Sequence, residues 1–231
     1  RKSATFPMSR FASKPGNSTM PQANIARGLL ALGCIALLSG CASSNTAKDP
    51  SDPWEGVNRP FYNFNDAIDR NFFTPVAKGY VKVTPQPVRS GVTKFFDNVG
   101  YINVIANDLL QGKLGDFASD TGRFVVNSTV GVGGLFDPAT SLGMPAHDED
   151  LGQTLGKWGA GEGRYMVLPL MGPSFLRDLP GIGSSIALSP LTYLNPIVTI
   201  PLGVVNAINA RANLLEASNI RDQAALDPYT F

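Results

Sequence analysis

The chain has 231 residues, a formal net charge of +1 and only 16% charged side chains, against about 25% in an ordinary soluble domain. Residues 1–40 hold five basic side chains and no acid, which leaves 14 basic against 18 acidic ones in residues 41–231. That balance excludes the basic face of a nucleic-acid binder and adhesion to an anionic membrane by charge alone.

The N-terminal part reads as an export signal. Arg27 precedes the apolar run Gly28–Leu38, which is too short to cross a bilayer and typical of a signal-peptide core. It ends in Leu38-Ser39-Gly40-Cys41, which resembles the bacterial lipobox, where the cysteine is lipidated and becomes the first residue of the mature chain. Residues 1–40 are therefore expected to be signal peptide and upstream extension, with Met8 or Met20 as possible starts. Cys41 is the expected lipidation site, and two or more acyl chains anchor stably where one does not. By the sorting rule for lipoproteins of two-membrane bacteria, Ala42 directs the chain to the outer membrane. Residues 41–51 are small and polar and read as a tether.

The domain beyond the tether starts at Asp52. Cys34 and Cys41 are the two cysteines and His147 the one histidine, so no disulfide framework, thiolate cluster or multi-histidine metal site is expected beyond the tether, and no cofactor. Aromatic and polar residues alternate through Phe61-Tyr62-Asn63-Phe64-Asn65 in a way that neither a clean helix nor a clean strand explains. Thr84-Pro85-Gln86-Pro87 is an extended breaker. Val92, Phe95, Phe96, Val99, Ile102, Ala106, Leu109 and Leu110 recur at helical spacing and predict a helix ended by Gly112. Phe117, Phe124, Val125 and Ser128 predict a second, stopped by Gly131–Gly134. Val198, Leu202, Val205, Ile208, Ala212 and Leu215 predict a third. Strand alternation is scarce, so the fold class is mainly α.

Between Asp178 and Arg211 lie 32 residues without a charge, interrupted by Pro180, Pro190, Pro196 and Pro201. A single lipid-exposed helix would leave backbone groups near those prolines unpaired. Two readings remain: a buried core, or short broken helices set into one membrane leaflet and packed on each other.

Nothing in the sequence completes a catalytic set. No G-x-S-x-G elbow is present, and Ala146-His147-Asp148-Glu149-Asp150 reads as a solvated acidic loop. Gly131–Gly134 and Gly159, Gly161 and Gly163 match neither a phosphate loop nor G-x-G-x-x-G. The second set reads either as a hinge between Trp158 and Tyr165 or as tight turns. The chain is not expected to be an enzyme.

Several stretches resemble the MlaA (VacJ) lipoproteins: Asp52–Asp69 (DPWEGVNRPFYNFNDAID), Val83–Arg89, Gly122–Asp137, and Leu151–Tyr165 with Leu168-Pro169, Gly172-Pro173-Ser174 and Arg177-Asp178, closed by Asp227-Pro228-Tyr229. The resemblance runs over about residues 50–229 and makes residues 52–231 one domain. It implies a ring of short broken amphipathic helices in one leaflet, with an amphipathic central channel. It also implies an outer-membrane lipoprotein on the periplasmic side that removes phospholipid from the outer leaflet and passes it to a soluble periplasmic carrier, beside a trimeric porin. A scaffold that binds porin or carrier without conducting lipid is the alternative. Asn58, Arg59, Asn63 and Asn65, interleaved with Phe61 and Phe64, are the expected channel lining, with helix caps and core aromatics as the competing reading. The resemblance favours the hinge at the three glycines. Arg164 stands where the family carries Pro, and the chain stops at Phe231 where relatives continue in a polar tail.

Overall fold

The computed structural model describes residues 52–225 and 227–230. The export segment and Cys41 lie outside them.

Residues 52–69, which fit neither period, fold as helix α1 (Glu55–Ile68). Pro60 sits inside it without ending it. The chain then widens into a π-helical turn, Asp69–Phe73, and runs on as α2 (Thr74–Val83) without leaving the helical region at either junction. The widening falls just before Pro75, whose ring would crowd the carbonyl one turn back and which has no N–H to give. Thr84 is extended ahead of Pro85, as a residue before proline prefers, and ends the rod.

Helix α3 (Gln86–Gln111) has Pro87 in its first turn and Gly112 at φ 71° as its left-handed cap, a conformation that glycine adopts without penalty. Helix α4 (Leu114–Thr129) packs along it. The glycine-rich stretch after α4 is a backbone crossing rather than an anion cradle. A Cβ on Gly134 would stand 2.4 Å from the Asn98 Cβ, and one on Gly131 2.4 Å from the Asn127 carbonyl oxygen. Short helices α5 (Pro138–Ser141) and α6 (Leu151–Lys157) follow, each capped by an aspartate side chain, Asp137 accepting from the Thr140 amide and Asp150 from the Gln153 amide.

The two strands of the described residues form a hairpin, β1 (Tyr165–Leu168) antiparallel to β2 (Gly172–Phe175), with Tyr165 opposite Phe175 and Leu168 opposite Gly172. A 3-10 turn (Leu176–Asp178) leads into α7 (Leu179–Leu188). A second 3-10 turn (Pro190–Tyr193) leads to α8 (Pro196–Asn213), and α9 (Leu215–Ala224) closes the order. The uncharged segment thus breaks at Pro190 and Pro196, while Pro201 stays inside α8. No helix of the described residues is long and apolar enough to cross a membrane.

Helix α3 is the hub, in contact with α4, α6, α7 and α8, while α2 packs on α8. Asn209 joins three helices at once: its oxygen accepts from the Tyr80 hydroxyl of α2 at 3.1 Å, and its amide donates to Thr93 Oγ1 of α3 at 2.7 Å. Arg211 holds both oxygens of Asp69, at 2.6 and 2.8 Å, and so ties α8 to the π-helical turn.

Candidate functional site

The polarity of the fold is inverted. Six hydrophobic residues of the described chain are buried, against thirteen polar or charged ones, and thirty large hydrophobic side chains are exposed. In water a folded domain does the opposite, since burying an unpaired polar group costs more than burying an apolar one gains. The apolar stripe that predicts α3 is not its buried face: Leu109 and Leu110 are exposed, while Asn103, Asn107 and Gln111, one turn apart, are buried. On α4 the buried stripe is Asp120, Arg123 and Asn127. In the uncharged segment Ile186, Tyr193, Ile197, Val198 and Ile200 point outward, which overturns the buried-core reading of that stretch.

These polar groups are largely satisfied by one another. Arg123 donates to Asp137 Oδ2 at 2.6 Å, to Thr140 Oγ1 at 2.9 Å and to the Met144 carbonyl at 2.8 Å, while Asn127 donates to Asp137 Oδ1. Burial alone would raise the Asp137 carboxyl, but donation from Thr140, Asn127 and Arg123 outweighs it and holds the group down to about 2. Thr154 donates to Asn107 Oδ1, and Gln111 donates to both Glu149 and Thr154. Lys113 pairs with Glu149.

Within 146–150, Ala146 and Asp148 are exposed as expected, but Glu149 and His147 are drawn into the fold. Glu149 is buried among Gln111, Lys113 and the Asn103 amide. His147 Nδ1 lies 2.8 Å from Asp120 Oδ2, and this bond first of all raises the imidazole above its ordinary range. Asp108, fully buried, has no partner for either oxygen, and Asp120 Oδ1 has none either. Desolvation, then the neighbouring Asp120, pushes Asp108 up to about 6. Protonation of Asp108 removes a like-charge contact inside the fold.

A cavity of about 490 Å³ opens between α3, the 146–150 segment and the end of α7. Phe96, Val99 and Val104 give it an apolar wall. Asp97, Tyr101, Arg123, Asp148, Ser185 and Ser189 give it a polar one. Such a space accepts a molecule with a charged end and hydrocarbon. Among the described residues no group of three or more His, Cys, Asp or Glu could hold a metal ion.

The sequence-predicted site residues lie elsewhere. None of Asn58, Arg59, Phe61, Asn63, Phe64 and Asn65 borders this cavity. Asn58 is 1% exposed, and its amide is fully engaged with Asp52, the Tyr165 carbonyl and the Val167 amide. Asn65 bonds the Leu168 carbonyl and the Leu170 amide, and it borders a smaller cavity of about 330 Å³ with Asp69, Arg211 and Arg221. Arg59 pairs with Glu55 and Asp227 and lies over the Tyr229 ring at 4.4 Å. The structure thus gives Asn58, Arg59 and Asn65 to holding the hairpin and the C-terminal turn. Phe61 is half-buried, and Asn63 and Phe64 are exposed.

The three glycines occupy the stalk that enters the hairpin, not its tip. Gly159 and Gly163 have φ of 97° and 75°, while Gly161 has an ordinary φ and open space around its missing Cβ. What sequence reasoning missed is the polar stripe on α3 and α4, which was visible as Asn103/Asn107/Gln111 and Asp120/Arg123/Asn127 at helical spacing.

A helical protein with ion pairs and amides inside and bare hydrocarbon outside belongs to the class made for a nonpolar surrounding. Residues 50–231 match the family model described as MlaA lipoprotein, and the chain belongs to that family. The Escherichia coli (strain K12) protein named intermembrane phospholipid transport system lipoprotein MlaA is 36% identical over 205 residues, which cover 87% of this chain and 81% of that one. The protein of the same name from Haemophilus influenzae is 32% identical, with 87% and 83% covered. An uncharacterised protein of Rickettsia bellii is 33% identical, with 83% and 76% covered. A solved structure reported under "Structural basis for maintenance of bacterial outer membrane lipid asymmetry" superposes with a TM-score of 0.68 at 32% identity, covering 78% of this chain and 92% of that one.

Proposed function

We propose that this protein is an outer-membrane lipoprotein, anchored through Cys41 on the periplasmic side, that takes phospholipid out of the outer leaflet and passes it to a soluble periplasmic carrier. Its helices lie as a ring in one leaflet beside a trimeric porin, and Gly159, Gly161 and Gly163 form the hinge that controls entry. The observation that carries the reading is the inverted polarity around an amphipathic cavity. Exposed Ile186, Tyr193, Ile197 and Ile200 suit acyl chains, and the charged interior suits a headgroup. The names of the Escherichia coli and Haemophilus influenzae relatives support phospholipid as the cargo.

The test is deletion of the gene in its own host, followed by labelling of surface aminophospholipid with an impermeant amine reagent. Deletion raises the label, and the wild-type gene restores it. A non-conducting scaffold predicts that a variant blocked in the cavity, yet still bound to porin, clears lipid normally. Normal surface lipid in the deletion strain overturns the transport reading.

A further inference from the structure

The Tyr229 hydroxyl donates to Asp52 Oδ2 and so joins the C-terminal turn to the residue that leads into α1. Further contacts hold the turn there. Arg59 Nη1 donates to Asp227 Oδ2 at 3.0 Å, the Arg59 guanidinium lies 4.4 Å from the Tyr229 ring centre, and the Tyr62 and Tyr229 rings meet edge to face at 5.4 Å. Desolvation first, then Asp52, pushes the Tyr229 hydroxyl above its ordinary range, so it remains a proton donor.

Asp52 is 8% exposed, and its other oxygen is committed as well. Oδ1 accepts from the Trp54 amide at 3.1 Å and from Asn58 Nδ2 at 2.8 Å. Asn58 in turn carries the bonds to β1 at the Tyr165 carbonyl and the Val167 amide. Val167 stands opposite Pro173 in the hairpin, and proline has no N–H to exchange with it. Among the described residues the Val167 amide is bound by Asn58. A hydroxyl that pins one carboxylate oxygen fixes the plane of the carboxylate, and that plane fixes the side-chain amide it faces. At the far end, Tyr165 comes two residues after Gly163. It is the point where the glycine stalk becomes a held strand.

From this unbroken relay of bonds we infer that Tyr229 and Asp52 are positioning residues for the hairpin, and that they act on it through Asn58. The C-terminal turn thereby sets the fixed end of the stalk that bends at Gly159, Gly161 and Gly163. The consequence for lipid entry rests on the transport reading and adds a control point to it, whereas the relay itself is measured without lipid transport.

Amide exchange is read residue by residue by NMR on the full chain in detergent micelles. Tyr229→Phe keeps the ring and removes the hydroxyl. Val167 then exchanges about tenfold faster, the share of one hydrogen bond to a charged group, while amides of α3 and α4 keep the parent's rates. Asp52→Ala accelerates Val167 at least as much, and adding Tyr229→Phe to it changes nothing more, as for two members of one network. Tyr62→Phe removes a neighbouring hydroxyl that has no partner among the described residues, and it leaves Val167 as in the parent. An unchanged Val167 rate in Tyr229→Phe, an acceleration that extends to α3 and α4, or additive effects in the double variant overturns the relay. If Asp52→Ala does not fold, Tyr229→Phe against Tyr62→Phe decides alone. In the host, Tyr229→Phe at normal protein level raises surface phospholipid. Normal surface phospholipid together with fast Val167 exchange overturns the control point and leaves transport, tested by deletion, standing.

Discussion

Asn58 accepts a hydrogen bond from the Val167 amide at 2.9 Å and donates one to the Tyr165 carbonyl at 3.2 Å, across more than a hundred residues of chain. A helix-borne amide thus occupies the place of a neighbouring strand. Asn65, two turns along α1, repeats the arrangement at Leu168 and Leu170. Two asparagines on one helix face hold a two-stranded hairpin that could not stand alone. Asn58→Ala leaves a buried amide unmet and lowers stability by about 1–3 kcal/mol. Asn58→Asp does no better, because a carboxylate cannot donate to the Tyr165 carbonyl and would face Asp52. Thermal unfolding in detergent measures both, and an unchanged midpoint refutes the strand-substitute role.

The carboxyl pair and His147 make stability depend on pH. Asp108 rises from 3.8 unfolded to about 6 folded, so its contribution is full below the lower value and falls as pH climbs to the upper one. His147 is also raised, chiefly by Asp120. Its contribution is full below the ordinary histidine range, about 6.5, and is lost as pH passes its folded value. The melting midpoint therefore declines from about pH 4 upward, first as Asp108 ionises towards about 6 and then as His147 passes its folded value. Asp108→Asn flattens the lower part and raises the midpoint at the alkaline end, and His147→Gln flattens the upper part. A midpoint that climbs with pH contradicts this account.

Gly161 and Gly159 separate a hinge from a turn. At Gly161 an added Cβ meets nothing within 4 Å and needs no unusual φ, whereas at Gly159, with φ 97°, a side chain is strained by about 1–2 kcal/mol. Gly161→Leu should keep normal abundance and porin association while surface phospholipid rises. Gly159→Leu should lose abundance together with function. Undiminished lipid clearance by Gly161→Leu rules out the hinge.

Ile200 is 66% exposed, so a charge there is harmless in water and costs about 2.5–3.5 kcal/mol at membrane depth. Ile200→Lys should wash off membranes in alkaline carbonate more readily than the parent. Equal retention places the α8 face outside hydrocarbon.

Cys41 lies outside the described residues, and its role rests on the sequence before it. Cys41→Ala should abolish palmitate labelling and release the protein from the outer membrane. Labelling that persists in the variant discards the lipobox.

The helices were legible where the chain punctuates itself. Gly112 ends α3, Thr84 to Pro87 separates α2 from α3, and Pro190 and Pro196 break the uncharged segment where they stand. Helix α1 was not legible, because Pro60 and the closely spaced aromatics and asparagines hide its period, and because Asn58 and Asn65 answer to a hairpin far along the chain. Spacing gave the angle of each helix face but not which face meets its surroundings. Leu109 and Leu110 look like core until the buried amides of Asn107 and Gln111 are seen opposite. Glu149 and His147 read as solvated since their partners, Gln111, Lys113 and Asp120, lie 27 to 38 residues away.

The inward-facing amides and outward-facing aliphatics give this polypeptide little apolar surface to hide by folding in water. Dispersed in buffer, the collapse that folds an ordinary enzyme would drag Ile197, Ile200 and Val204 inside and expel Asn107 and Asp120, toward some other compact shape. Hydrocarbon reverses that preference. Its conformational free energy is therefore a joint property of peptide and amphiphile, and without an apolar partner the same greasy rim stands bare to water.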